Sequence, residues 1–159
     1  MFDLSPAKDI ISKYWDEGSL PVDPIRIAGK MGILVMADAS LEGSGHYEPT
    51  ASKNGGPLIT YNPMESHVRQ RFTIAHELGH HVLEHGVSDR DTPANFTMTS
   101  SDPKEVEANK FAADLLMPSQ FVQAVVEVKN IRSLRQLSHL FNVSTAAMGY
   151  RLRNLGYDL

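Results

Sequence analysis

Two histidines four positions apart, with a glutamate directly after the first, carry the clearest chemistry in this 159-residue chain: His76-Glu77-Leu78-Gly79-His80. On a helix, residues four positions apart project from one face about one turn apart, so His76 and His80 aim two imidazoles at a common point. That is the bite of a tetrahedral zinc ion. Glu77 lies beside the same face, where a carboxylate reaches a water on the metal and acts as general base. His81 and His85 also stand four apart, but they point away from the first pair and have no carboxylate suitably placed between them. The bland reading is a surface helix that happens to be rich in histidine. The motif's position mid-helix, between a cap and a stop signal, speaks against it.

A hydrolytic zinc site needs a third protein ligand and an open position for water. The segment from Lys104 to Pro118 offers two carboxylates, Glu105 and Glu107, which face nearly opposite sides of a helix. Glu105 shares a stripe with Asn109, Ala112 and Leu116, which reads as inward-facing. Glu107 shares its stripe with Lys110 and Asp114, which reads as solvent-facing. Glu105 is therefore the favoured ligand, with Glu107 as the alternative. Glu105 also stands three residues past Asp102, so a capping-box role competes with the ligand role. Asn109, one turn further on, can accept a hydrogen bond from the free ring nitrogen of a ligating histidine and fix its orientation.

The elements that would hold these groups are legible in outline. Helices are expected over about Pro6 to Glu17 and Pro24 to Lys30, the second closed by Gly29 and Gly32. Strands follow at Ile33–Met36, Gly45–Glu48 and Pro57–Tyr61, with Lys53-Asn54-Gly55-Gly56-Pro57 as the turn between the last two. A small antiparallel sheet results. Asn62, Pro63 and Glu65 read as N-cap, first position and N3 of the helix bearing the two histidines, which runs to about Glu84 or His85 and stops at Gly86. The stretch Val87–Ser101 is polar and irregular, with Phe96 and Met98 as its large apolar residues. Asp102-Pro103 restarts a helix to Met117, Pro118 begins another to about Val128, and short helices near Ile131–Phe141 and Ser144–Leu155 complete the chain.

Composition narrows the classes. The length suits one compact domain, and 42% apolar residues are ordinary for a globular protein. A net charge of −4 argues against a broad electrostatic footprint for nucleic acid. No run approaches the roughly 18 apolar residues of a membrane span. The N-terminus lacks the basic-then-apolar order of a signal peptide. Cysteine is absent, which removes disulfides, thiolate ligands and a cysteine nucleophile. A cytoplasmic protein is the simplest expectation.

Phe72-Thr-Ile-Ala-His-Glu-Leu-Gly-His80 together with Glu105-Val-Glu-Ala-Asn-Lys-Phe-Ala-Ala-Asp-Leu-Leu-Met-Pro118 resembles the ImmA/IrrE family of metallopeptidases. The resemblance implies an α+β, minimal zincin-like fold, in which a small sheet packs on the HExxH helix and a glutamate of the next helix completes the site. It implies His76, His80 and Glu105 as ligands, Glu77 as the base, and a family E-x-x-x-N/D spacing that falls on Glu105 and Asn109. It further implies zinc-assisted peptide hydrolysis, with Mn2+ or Fe2+ as other possible occupants. The implied substrate is a partner helix-turn-helix repressor, cut to induce stress-response or mobile-element genes. Tyr61, Tyr47 and His46 are candidate oxyanion donors among which the sequence does not choose. The Leu58–Tyr61 strand is a candidate for holding an extended peptide by β-augmentation, and the Val87–Ser101 loop for a lid.

The tail from Leu134 to Leu152 reads like a helix-turn-helix, with Ser138 four residues before the turn residue Asn142 and Ser144 as a cap. Arg132, Arg135, Arg151 and Arg153 make it locally basic. Its second helix opens Thr145-Ala-Ala, which offers little to phosphates or base edges. The expected division is a zincin-like metallopeptidase domain over 1–120 and a helical extension over 121–159 packed on it. Direct DNA binding is not expected.

Overall fold

The structure, a computed structural model, describes residues 5–15, 18–90 and 102–159. Its helices are α1 (Pro6–Tyr14), α2 (Pro24–Lys30), α3 (His67–Val82), α4 (Pro103–Leu116), α5 (Ser119–Gln123), α6 (Leu134–Phe141) and α7 (Thr145–Asn154). Its strands are β1 (Leu34–Ala37), β2 (Gly45–Glu48), β3 (Leu58–Tyr61) and β4 (Ser88–Arg90). No helix among the described residues is long and apolar enough to cross a membrane.

The α+β expectation holds, but the sheet is mixed, in the order β1-β3-β2-β4. β2 pairs antiparallel with both β3 and β4, whereas β1 pairs parallel with β3. The expected all-antiparallel sheet assumed that successive strands would pair. Instead β2 and β3 form a hairpin, and β3 occupies the place between β2 and β1. It therefore runs in the same direction as β1. Ser88–Arg90 contributes the fourth strand inside a stretch expected to be irregular throughout, while Phe96 and Met98 lie outside the described residues.

The central element is α3. Every residue from Arg71 to His80 is buried, because the sheet covers one side of the helix and α4 the other. Two glycines set how close these layers come. A Cβ on Gly45 would stand 2.5 Å from the Thr73 side-chain methyl, and one on Gly79 would stand 3.0 Å from Phe111 Cδ1. A side chain fits at neither position unless Thr73 or Phe111 gives way. This close approach brings α4, and whatever it carries, against the histidine-bearing helix.

The start of α3 is later than expected. Ser66 caps it by accepting from the Arg69 amide, and Asn62 does not. The Asn62 amide extends the sheet by donating to the Ser44 carbonyl, and its side chain accepts from the Met64 amide. Asn62 therefore ends a strand with a turn, and Glu65 joins Arg69 and Ser44 instead of closing a capping box. Near the other end of the chain, the helix expected to continue to Val128 changes at Ala124 into a π-helical turn, Ala124–Val128.

The last two helices share the core with the rest. Leu137, Phe141, Met148 and Leu152 are buried in the same apolar cluster as Leu78, Phe111 and Leu115. Asn142, in the left-handed conformation, ends α6, and its carbonyl accepts from the buried Arg71 guanidinium, which also donates to Val22 O. Arg151 is buried as well, donating to Met117 O and pairing with Asp114 at 2.7 Å. Asp114, expected to face solvent, is buried for that reason.

Candidate metal centre

α3 and α4 bring together three side chains that the spacing arguments singled out. His76 Nε2 and His80 Nε2 lie 3.1 Å apart. One carboxylate oxygen of Glu105 stands 3.0 Å from His76 Nε2 and the other 3.1 Å from His80 Nε2. Among the described residues these three form the one cluster able to hold a metal ion. The rings are buried, and the Glu105 side chain keeps 16% of its surface exposed, so the centre is reached from one side.

The second nitrogen of each ring is already engaged. His76 Nδ1 lies 2.8 Å from Asn109 Oδ1, an atom that can only accept. His76 therefore carries its proton on Nδ1, and its Nε2 lone pair faces the cluster. His80 Nδ1 lies 2.8 Å from His85 Nδ1. Two imidazole nitrogens and a carboxylate thus converge on one point. A cation satisfies all three at once.

The donor set fits a divalent metal. A tetrahedral zinc ion with bonds of about 2.0–2.1 Å keeps its ligand atoms about 3.3 Å apart, so the observed spacing needs only a slight opening. Two imidazoles and one carboxylate, with a fourth side open, is also a set that catalytic zinc takes.

Glu77 is fully buried on the sheet side of α3: a Cβ on Gly45 would come within 3.5 Å of its Cγ. The competing roles for Glu105 and Glu107 are separated by the cap. Asp102 satisfies the Lys104 amide, and Glu105 reaches across to the histidines. Glu107 is exposed and faces His85.

Of the three candidate oxyanion donors, Tyr47 is buried with its hydroxyl 2.7 Å from His81 Nδ1, which commits it elsewhere. His46 alternates to the opposite face of β2 and lies 3.5 Å from Glu48. Tyr61, opposite Gly45 in the register, shares the face that packs on α3. The strand Leu58–Tyr61 is interior, paired on both sides, and cannot take up an added peptide strand.

The sequence reading set His85 apart from the centre, and the structure returns it there. α3 ends one turn earlier than a continuous helix through His85 requires. Glu84 takes a left-handed conformation (φ 58°), its amide donates to His81 O, and the His85 amide donates to His80 O. This is the Schellman pattern, which folds the second residue past the cap back over the last turn. A helical wheel carried through to His85 misses this; the stop signal at Gly86 is the available clue.

A family model described as the IrrE N-terminal-like domain, a peptidase family, matches residues 28–153. The chain is also similar to Metallopeptidase ImmA of Bacillus subtilis (strain 168), with 30% identity over 99 residues. The match covers 62% of this chain and 57% of that relative, so the chain spans less than two thirds of its length.

Proposed function

The chain belongs to the family of the IrrE N-terminal-like domain, and from that premise we propose that it is a metal-dependent endopeptidase. The observation that carries the proposal is the convergence of His76 Nε2, His80 Nε2 and the Glu105 carboxylate, on the helix that also holds the buried Glu77. In this reading His76, His80 and Glu105 are the metal ligands, Asn109 orients His76, and Glu77 is the general base. Zinc is the proposed metal, with Mn2+ or Fe2+ as competitors for the same donors. A zinc ion held there supplies Lewis acidity, which eases ionisation of a water and polarises a peptide carbonyl. Glu77 takes the proton from the attacking water and returns it to the departing amine. Tyr61 is the oxyanion donor we favour among the three candidates, on the strength of its face.

For substrate we propose a partner helix-turn-helix repressor, cleaved in the cytoplasm to release stress-response or mobile-element genes. That part rests on the family resemblance. We read residues 121–159 as an extension that completes the core of 1–120, supported by the buried Arg151–Asp114 pair. The engagement of Arg151 also weighs against direct DNA binding, because its guanidinium is not at the surface.

The test is to mix the purified chain with candidate repressors, with Zn2+, Mn2+ or Fe2+ supplied in turn, and to map fragments by mass spectrometry. A discrete cut that disappears with a chelator is expected. Stable capture of a repressor with no cut under any metal would replace the peptidase reading with that of a metal-binding interaction module.

A further inference from the structure

The two histidines of the centre are oriented by unlike partners. His76 Nδ1 meets a side-chain amide, whereas His80 Nδ1 meets another imidazole, His85, whose far nitrogen lies 3.0 Å from a carboxylate oxygen of Glu107. From this we infer that Glu107 and His85 form a positioning relay that fixes the tautomer and ring orientation of His80 for metal binding. The inference deepens the metallopeptidase reading and rests on it.

The tautomers follow from one end of the chain of hydrogen bonds. The Glu107 carboxylate can only accept, so His85 Nε2 carries a proton and donates to it. The other nitrogen of a neutral His85, Nδ1, is then an acceptor and takes the proton of His80 Nδ1. His80 is left with its lone pair on Nε2, the atom that faces His76 Nε2 and Glu105. A single acid at the rim of the molecule thus determines which face of a buried ring is nucleophilic. The reverse arrangement would put a proton of His80 into the cluster, where a cation belongs.

Two features of the fold hold the relay in register. The Schellman end of α3 ties the His85 amide to the His80 carbonyl at 2.9 Å, which brings the side chains of helix position C3 and the second residue past the cap into contact. In other proteins that contact is commonly apolar. Here it is a hydrogen bond between rings whose centroids are 5.0 Å apart. The second feature is α4, which supplies Glu105 to the centre and, two residues on, Glu107 to His85. Glu107 therefore faces away from the metal yet acts on it, and the pair of acids that compete as ligands by sequence have separate tasks. The His85 side chain is only 8% exposed, so water has little access to replace it.

Zinc affinity, measured by competition with a chromogenic chelator on purified full-length chain, tests this without any substrate. His85→Ala is expected to weaken zinc binding by about 10–100-fold, the usual effect of losing a partner behind a metal-ligating histidine. His85→Gln, whose amide oxygen can accept from His80, should recover part of that loss. Glu107→Ala should weaken binding less than His85→Ala, and the double variant should match His85→Ala, because Glu107 acts only through His85. The visible spectrum of Co2+-loaded His85→Ala should shift from that of wild type as the ring reorients, whereas that of His85→Gln should stay close to it. Wild-type affinity in His85→Ala, or a further loss on adding Glu107→Ala to it, would overturn the relay while leaving the metal site intact. A wild-type chain that binds no zinc, cobalt or manganese would overturn the metal reading and the relay with it.

Discussion

Asn109 Oδ1 lies 2.8 Å from His76 Nδ1, across the interface between two helices that meet nowhere in sequence. The contact fixes the His76 tautomer and, with it, the direction of the lone pair on Nε2. Asn109→Ala is accordingly expected to lower zinc affinity by about 10–100-fold, while Asn109→Asp, which keeps an acceptor in place, should retain most of it. Equilibrium competition with a chelator reads both.

Close packing of α3 on α4 is a condition for the centre, since the ligands come from both. Gly79→Ala would place a methyl 3.0 Å from Phe111 Cδ1 and 3.2 Å from its Cβ. The expected outcome is a loss of about 1–3 kcal/mol in denaturant unfolding, together with weaker zinc binding as Glu105 moves off. Gly149→Ala is the control: there a Cβ meets only Arg153 Nη1, at 3.8 Å, and the helix should gain slightly.

A metal bridging α3 and α4 should also stabilise the fold. Free zinc at a hundredfold excess over its dissociation constant contributes about 2.7 kcal/mol by mass action. Thermal unfolding of the wild-type chain should therefore rise with added zinc and fall on chelation, and Glu105→Ala should lose most of that response.

The C-terminal helices are held by a buried ion pair. Arg151→Ala strands the Asp114 carboxylate, with Lys110 at 2.6 Å as partial compensation, and a destabilisation of about 3 kcal/mol is expected. Adding Asp114→Ala should restore part of it, which chemical denaturation of the four members of the cycle would show.

Much of the centre was legible because helical spacing is rigid. His76 and His80 had to share a face, and the stripe through Glu105, Asn109, Ala112 and Leu116 had to point inward; the structure places the first two of that stripe at the histidines. What escaped depends on tertiary competition. Asn62 has the chemistry of a cap, but a sheet hydrogen bond to Ser44 claims its amide first. Strand order was hidden because a four-residue strand carries no mark of its neighbour's direction. Asp114 looked exposed because Arg151, its partner, lies 37 residues away. His85 was misplaced because a left-handed residue at Glu84 folds the chain back, and a side chain with a Cβ gives little warning of that conformation.

The central claim is that one α3–α4 centre binds the metal and that Glu77 makes it hydrolytic. Glu77→Gln separates the two, since it keeps the shape of the side chain and removes the base. At matched zinc content, the initial rate at which wild type and Glu77→Gln cut the same protein substrate should differ by about 10²–10⁴-fold in favour of wild type. Equal rates in two equally zinc-loaded samples would contradict the account.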